Sequence, residues 1–182
     1  MPKAMLVALA LLLLTACEAD PGDDIAAGAQ SPAPATPPVA TDVTSADIQA
    51  FIDALPRDRV SDRPIRVVDV TGDYRVGVYG VFRPQEVAGG ANLHQVNTTE
   101  IYYMLEGSAT LVTGGTMVNP TRPSDTSTSL RGTAIEGGVS RRIVPGDVVV
   151  IPGHTPHWWS ELESDISYLI FRADPDNRLP VR

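Results

Sequence analysis

From residue 65 to residue 172 no apolar stretch runs far before a turn signal cuts it. The signals are Thr71-Gly72-Asp73, Gly89-Gly90, Glu106-Gly107, Gly114-Gly115, Gly137-Gly138, Pro145-Gly146-Asp147 and Pro152-Gly153. Between them lie short runs with period-two or continuous apolar character: Ile65–Val70, Tyr74–Arg83, His94–Val96, Glu100–Glu106, Ser108–Thr113, Thr133–Ile135, Arg142–Val144, Asp147–Ile151, His157–Leu162 and Ser167–Arg172. Runs this short, bounded this way, read as strands, and many of them in succession argue a sandwich or jelly-roll barrel. Aromatic residues are only 5% of the chain, so the core must be built mainly from Val, Ile and Leu.

One helix precedes the strands. Ile48, Phe51, Ile52 and Leu55 fall at i, i+3, i+4 and i+7, Thr44 with Asp47 forms a capping-box pattern, and Pro56 stops the run. The stretch 116–132, TMVNPTRPSDTSTSLRG, is polar and turn-rich and reads as a long surface loop within the domain.

The N-terminal part is of another kind. Lys3 is followed by an apolar run from Ala4 to Leu14. That is shorter than the roughly 20 residues a membrane-spanning helix needs, and fits the core of a secretory signal. Residues 17–43 carry Glu18, Asp20, Asp23, Asp24 and Asp42, no base, five prolines and almost no large apolar residue. Such a segment cannot bury enough surface to offset its ordering entropy and reads as a disordered tether. The expected organisation is therefore a signal at 1–16, a tether at 17–43 and one domain at 44–182. A net charge of -8 is the wrong sign for a nucleic-acid binder. The single cysteine, Cys17, excludes an internal disulfide and a cysteine-built metal site.

The chain has three histidines, His94, His154 and His157, all within two short segments, NLHQVNTTEIYYMLEG (92–107) and PGDVVVIPGHTPHWW (145–159). Imidazoles and a carboxylate that converge inside a barrel need a metal or mutual hydrogen bonds to offset burial. No nucleophile elbow, phosphate loop, dinucleotide fingerprint or Cys–His pair is present.

Both segments resemble the two sequence motifs of the cupin superfamily. In the first, His94, Glu100 and Gly107 stand at the motif's first His, its Glu and its closing Gly. In the second, Gly146, Pro152 and His157 match in spacing. The resemblance covers roughly residues 65–172 and implies an all-β, cupin-like double-stranded β-helix (jelly roll) with one short N-terminal helix. It also implies a divalent metal held by His94, Glu100 and His157, with Fe, Mn, Zn, Ni and Cu all compatible with such a ligand set. Three positions depart from the pattern. Val96 replaces the second His, His154 stands where Gly is expected, with Gly153 able to serve that turn one residue early, and Glu161 stands where the motif ends in Asn.

Around the ligands, even spacing places Val96 beside His94 on the same strand face and Trp159 beside His157, so both are candidates for a substrate pocket, with core packing as the other reading of Trp159. Tyr102 and Met104 are further pocket candidates, as barrel lining or packing. Trp158 faces the other way, into a second layer or a subunit interface. His154 and Glu161 are accessory candidates: His154 as a fourth ligand, proton shuttle or exposed turn residue, and Glu161 as an acceptor behind His157 or an exposed strand-end carboxylate. The resulting expectation is a metal-centred small-molecule site, catalytic or not. The competing expectation is a binding or scaffold cupin that has lost its metal, with Val96 as the symptom. A homodimer is implied by the resemblance.

Leu14-Thr15-Ala16-Cys17 resembles the bacterial lipobox, which implies cleavage before Cys17, acylation of its thiol, and an extracytoplasmic, membrane-anchored chain on the periplasmic or cell-surface side. Cells labelled with a radioactive fatty acid should incorporate label into the wild-type chain and none into Cys17→Ser. A wild-type chain without label contradicts the anchor.

Overall fold

Burial alternates along the strands Thr99–Glu106 and His157–Leu162 and is continuous over the first half of Ile166–Asp174, and this pattern shows how the chain is layered. The computed structural model describes residues 39–70, 73–87 and 89–181, so the signal segment, Cys17 and most of the tether lie outside the described residues. Helix α1 (Ser45–Asp53) opens with the capping box, Thr44 Oγ1 accepting from the Asp47 amide at 3.2 Å and Asp47 accepting from the Thr44 amide at 3.2 Å. Among the described residues twelve strands follow: β1 (Ser61–Val70), β2 (Tyr74–Arg83), β3 (Ala91–His94), β4 (Thr99–Glu106), β5 (Ala109–Thr113), β6 (Thr116–Val118), β7 (Ser129–Gly132), β8 (Ala134–Glu136), β9 (Val139–Ile143), β10 (Val148–Ile151), β11 (His157–Leu162) and β12 (Ile166–Asp174).

They form two five-stranded antiparallel sheets, ordered β1-β2-β12-β4-β10 and β7-β3-β11-β5-β9, and a two-stranded β6-β8 ribbon. This is an all-β jelly roll, as the strand pattern predicts. The core between the sheets comes from one face of each strand: Tyr79 and Val81 on β2, Tyr102 and Met104 on β4, Leu111 on β5, Ile151 on β10, Trp159 on β11, and Ile166, Tyr168 and Ile170 on β12. Outside the first sheet, Ile52 and Leu55 pack on Phe82, with Ile48, Phe51 and Leu105 beside them. Outside the second, Ile135 and Met117 of the ribbon cover Ala91, Val112 and Trp158, whose Nε1 donates to the Gly89 carbonyl at 3.0 Å.

Several expectations are corrected. The stretch 116–132 is not one loop, because β6 and β7 lie within it, and β7 extends the second sheet by pairing with β3. Strands of three or four residues within a polar stretch carry too few periods to be seen in sequence. The third expected strand shifts, since β3 ends at His94 and residues 95–98 are bend and coil. The even-spacing argument for Val96 therefore has no strand to act on.

Gly107 has φ 76°, and a Cβ there would collide with the Asp165 carbonyl. Gly137 has φ 69° with no atom within 4 Å of such a Cβ. Gly137→Ala should cost about 1 kcal/mol, the strain of a left-handed Ala alone, and Gly107→Ala clearly more, at least about 2 kcal/mol. Urea unfolding measures both, and equal costs would show that the contact with Asp165 does not constrain the β4–β5 turn.

Candidate metal centre

Along β4 the inward positions run Met104, Tyr102, Glu100, and along β12 they run Tyr168, Ile170, Arg172. The register pairs these residues directly: Tyr168 with Met104, Ile170 with Tyr102, Arg172 with Glu100. The interior therefore changes from apolar to charged in one step towards the end of the barrel where β3 stops. His94 arrives from the last residue of β3 and His157 from the first residue of β11, so two elements of the second sheet face a carboxylate of the first.

His94 Nε2 lies 3.8 Å from Glu100 Oε1, and His157 Nε2 lies 3.6 Å from Glu100 Oε2. One ligand atom from each of the three residues can be chosen so that all lie within 4.8 Å of one another, and no other group of this kind occurs among the described residues. Glu100 and His157 are 3% and 4% exposed, and His94 is half-buried. The far nitrogens are tied down. His157 Nδ1 donates to the Thr155 carbonyl at 3.1 Å, and His94 Nδ1 is 2.8 Å from Ser129 Oγ, on the residue opposite it in β7. A donating Nδ1–H fixes the tautomer and leaves the His157 Nε2 lone pair facing the carboxylate.

Burial holds both imidazoles below their ordinary value of 6.5, outweighing the pull of Glu100. Burial alone would raise Glu100, but Arg172 and the two imidazoles outweigh it and hold the carboxyl below its usual range. The site at neutral pH thus presents two neutral imidazoles to an ionised carboxylate, with the His157 Nε2 lone pair facing and repelling those of Glu100. A cation relieves that repulsion. Ligands sharing one ion at about 2.1 Å sit about 3.4 Å apart, so the triad needs to contract by no more than about 1.4 Å to close on one. The donor set fits a divalent metal.

Each oxygen of Glu100 also has an outer donor. Arg172 Nε donates to Oε1 at 2.8 Å and the Tyr102 hydroxyl donates to Oε2 at 3.2 Å. The rest of the Arg172 fork holds Asp62, at 3.3 Å and 2.7 Å, and its guanidinium lies 4.0 Å above the centre of the Tyr79 ring. A cavity of about 290 Å3 opens beside the triad, lined by His94, Glu100 and Arg172 with Val96, Thr128 and Leu179. Its Leu179 wall is held by the Asp174 carboxylate, which accepts from the Leu179 amide at 2.7 Å, and by Arg75, which donates to the Leu179 carbonyl at 2.6 Å.

Of the other expected residues, Val96 lines this cavity, although not from a strand. Tyr102, Met104 and Trp159 do not line it. They are core residues, with Trp159 stacked on Tyr102 at 6.1 Å and donating to the Tyr168 hydroxyl at 3.1 Å. Tyr102 still touches the site through its hydroxyl. His154 is exposed, at φ 62°, and does not join the triad. The backbone itself explains the two odd residues of that turn. His154 takes the left-handed conformation that Gly would accept freely, so Gly153 does not stand in for it. Gly153 is required for a different reason, because a Cβ there would collide with the Val96 carbonyl. Glu161 is exposed beyond a bulge in β11, and the acceptor behind His157 is the Thr155 carbonyl. Sequence reasoning missed Arg172, Asp62, Tyr79 and Ser129.

No family model matches the chain, and no curated protein matches it. Among solved structures, the DMSP lyase DddQ from Ruegeria pomeroyi is similar at 21% identity, over 82% of this chain and 79% of that one, with a TM-score of 0.48. TT1209 from Thermus thermophilus is 15% identical over 69% of this chain and 93% of its own, with a TM-score of 0.44. KdgF from Halomonas sp. is 18% identical over 61% and 87%, with a TM-score of 0.39. At these identities and scores the likeness assigns neither substrate nor reaction.

The lowered imidazoles have a consequence for stability. With folded values below 6.5, the unfolded chain binds more protons as pH falls through 6.5, so stability declines from there downward. Glu100, also lowered, extends the decline below 4.5. Unfolding in urea with chelator present, measured from pH 7.5 to 5, should show this fall, and His157→Gln should flatten it. A stability that rises on acidification over that window contradicts the buried, neutral imidazoles.

Proposed function

We propose that this chain is a lipid-anchored, extracytoplasmic cupin whose site holds a divalent metal and takes a small molecule. The observation that carries the metal is the pair of Nε2 atoms turned towards one ionised carboxylate, with both Nδ1 atoms occupied elsewhere. His94, Glu100 and His157 hold the ion. Bound there, a divalent metal supplies Lewis-acid chemistry or, for iron, a place where dioxygen is activated. Val96 offers an isopropyl group where the family motif offers a further imidazole, which leaves room at the cavity side for water or a ligand. Val96 and Leu179 make that side partly apolar, which favours a ligand with a hydrocarbon edge. The cavity volume suits a small molecule rather than a polymer. Ligand turnover that is lost with the metal makes the protein an enzyme. Binding without turnover makes it a receptor for the same ligand. The N-terminal segment supports the anchor, and pairing of two copies is the family's expectation.

A second reading is favoured by one contact. Arg172 already gives Glu100 a cationic partner at 2.8 Å, so the carboxylate is not left uncompensated without metal. On that reading the chain is a metal-free binding or scaffold cupin.

Purified protein, stripped with chelator and reloaded, separates the two. His94→Ala, Glu100→Ala and His157→Ala should each weaken divalent binding by more than the roughly 10–100-fold seen when an outer partner of a metal ligand is lost, while His154→Ala should leave it unchanged. Equal binding by wild type and all three ligand variants would move the metal elsewhere or remove it from the account.

A further inference from the structure

We propose that Arg172 is a built-in competitor for the cation at Glu100, a positioning residue that weakens divalent binding, and that Asp62 moderates it. The inference rests on the triad being where a cation binds.

The geometry separates this role from that of a packing residue. Arg172 stands directly across the β12–β4 ladder from Glu100, and its Nε reaches Oε1 at 2.8 Å. That oxygen is also the one nearest His94 Nε2, at 3.8 Å. A cation shared by His94 and Glu100 through Oε1 must therefore sit beside a guanidinium. Oε2 is the more open oxygen, carrying only the longer Tyr102 contact at 3.2 Å and facing His157 Nε2 at 3.6 Å.

Arg172 cannot easily leave. Its two terminal nitrogens grip the Asp62 carboxylate at 3.3 Å and 2.7 Å, and its plane lies on the Tyr79 ring. Its partner in β2 is Gly77, where a Cβ would strike the Tyr79 ring, so the absent side chain there leaves room for the platform under the guanidinium. Its side chain is 13% exposed, so water screens its charge poorly. A fixed positive charge on a ligand's own oxygen lowers that ligand's strength for a second positive charge. Asp62 returns one negative charge to the cluster and shares the fork, and so partly restores the site.

The two residues therefore act with opposite sign. An anchoring role would give one sign, since losing either residue would loosen Glu100 and weaken binding. The test uses the full-length chain, stripped of metal, with cobalt(II) titrated against a competing chelator and its visible absorption as the readout. Chelator-treated thermal unfolding is measured beside it. Arg172→Gln should bind cobalt about tenfold more tightly than wild type, and Asp62→Asn about tenfold more weakly. Weaker or unchanged binding by Arg172→Gln overturns the proposal. If Arg172→Gln does not fold, Arg172→Met decides, since it keeps an apolar stem over the Tyr79 ring and removes the charge: tighter cobalt binding than wild type supports the proposal, and weaker or unchanged binding overturns it. A wild type that binds no cobalt beside an Arg172→Gln variant that binds it tightly removes the resident metal from the proposed function but leaves this inference standing. No binding by wild type or by either variant removes both.

Discussion

A carboxylate that is 3% exposed must be neutralised, hydrogen-bonded or bound to a cation, and Glu100 meets that requirement from three sides. Arg172 supplies charge from the neighbouring strand, Tyr102 supplies a hydroxyl from two residues along its own strand, and the open side faces two imidazoles. Removing one partner of such a buried pair typically costs about 3–5 kcal/mol, because the other charge is left stranded. The site is thus a structural commitment as well as a chemical one. The apolar barrel ends where Glu100 begins, and its closing residues are chosen by what that carboxylate tolerates.

The barrel in turn fixes the site's dimensions. Glu100 belongs to one sheet and both histidines to the other, so their separation is set by the packing between sheets, by Tyr102 stacked on Trp159 and both tilted against Tyr168. The segment after β12 completes the wall. Asp174, fully buried, holds the Leu179 amide at 2.7 Å and the Asp176 amide at 3.3 Å, while Arg75 holds the carbonyls of Asn177 and Leu179. A rigid floor and a strapped wall leave the ligand atoms little freedom, which is the condition for selective binding of one small ion.

What was legible in the sequence was what local patterning encodes. The turn at Gly107 marks the end of the strand that carries Glu100, the string leading to Pro152 marks the approach to the strand that carries His157, and the capped helix at Thr44 is visible from its own side chains. His94, Glu100 and His157 could be picked out because only three histidines exist and two stand at motif positions. Strands β6 and β7 are hidden because three or four residues are too short to show a period. Arg172 was hidden for a different reason. It meets Glu100 only through the β12–β4 register, 72 residues away in sequence, and Asp62 only across 110 residues. An arginine at the end of an apolar strand looks like a solvated strand end until pairing is known. Parity places Trp159 on the inward face but does not show whether the space beside it is filled.

The most direct test of the metal-centred account is anomalous X-ray scattering from crystals of the protein grown without added chelator, with data collected across the absorption edges of the first-row metals. The account predicts one anomalous peak bonded by Nε2 of His94, Nε2 of His157 and one oxygen of Glu100, with Arg172 still on the other oxygen. An ordered triad with no anomalous peak after metal soaking, and Glu100 held by Arg172 and Tyr102 alone, would contradict it.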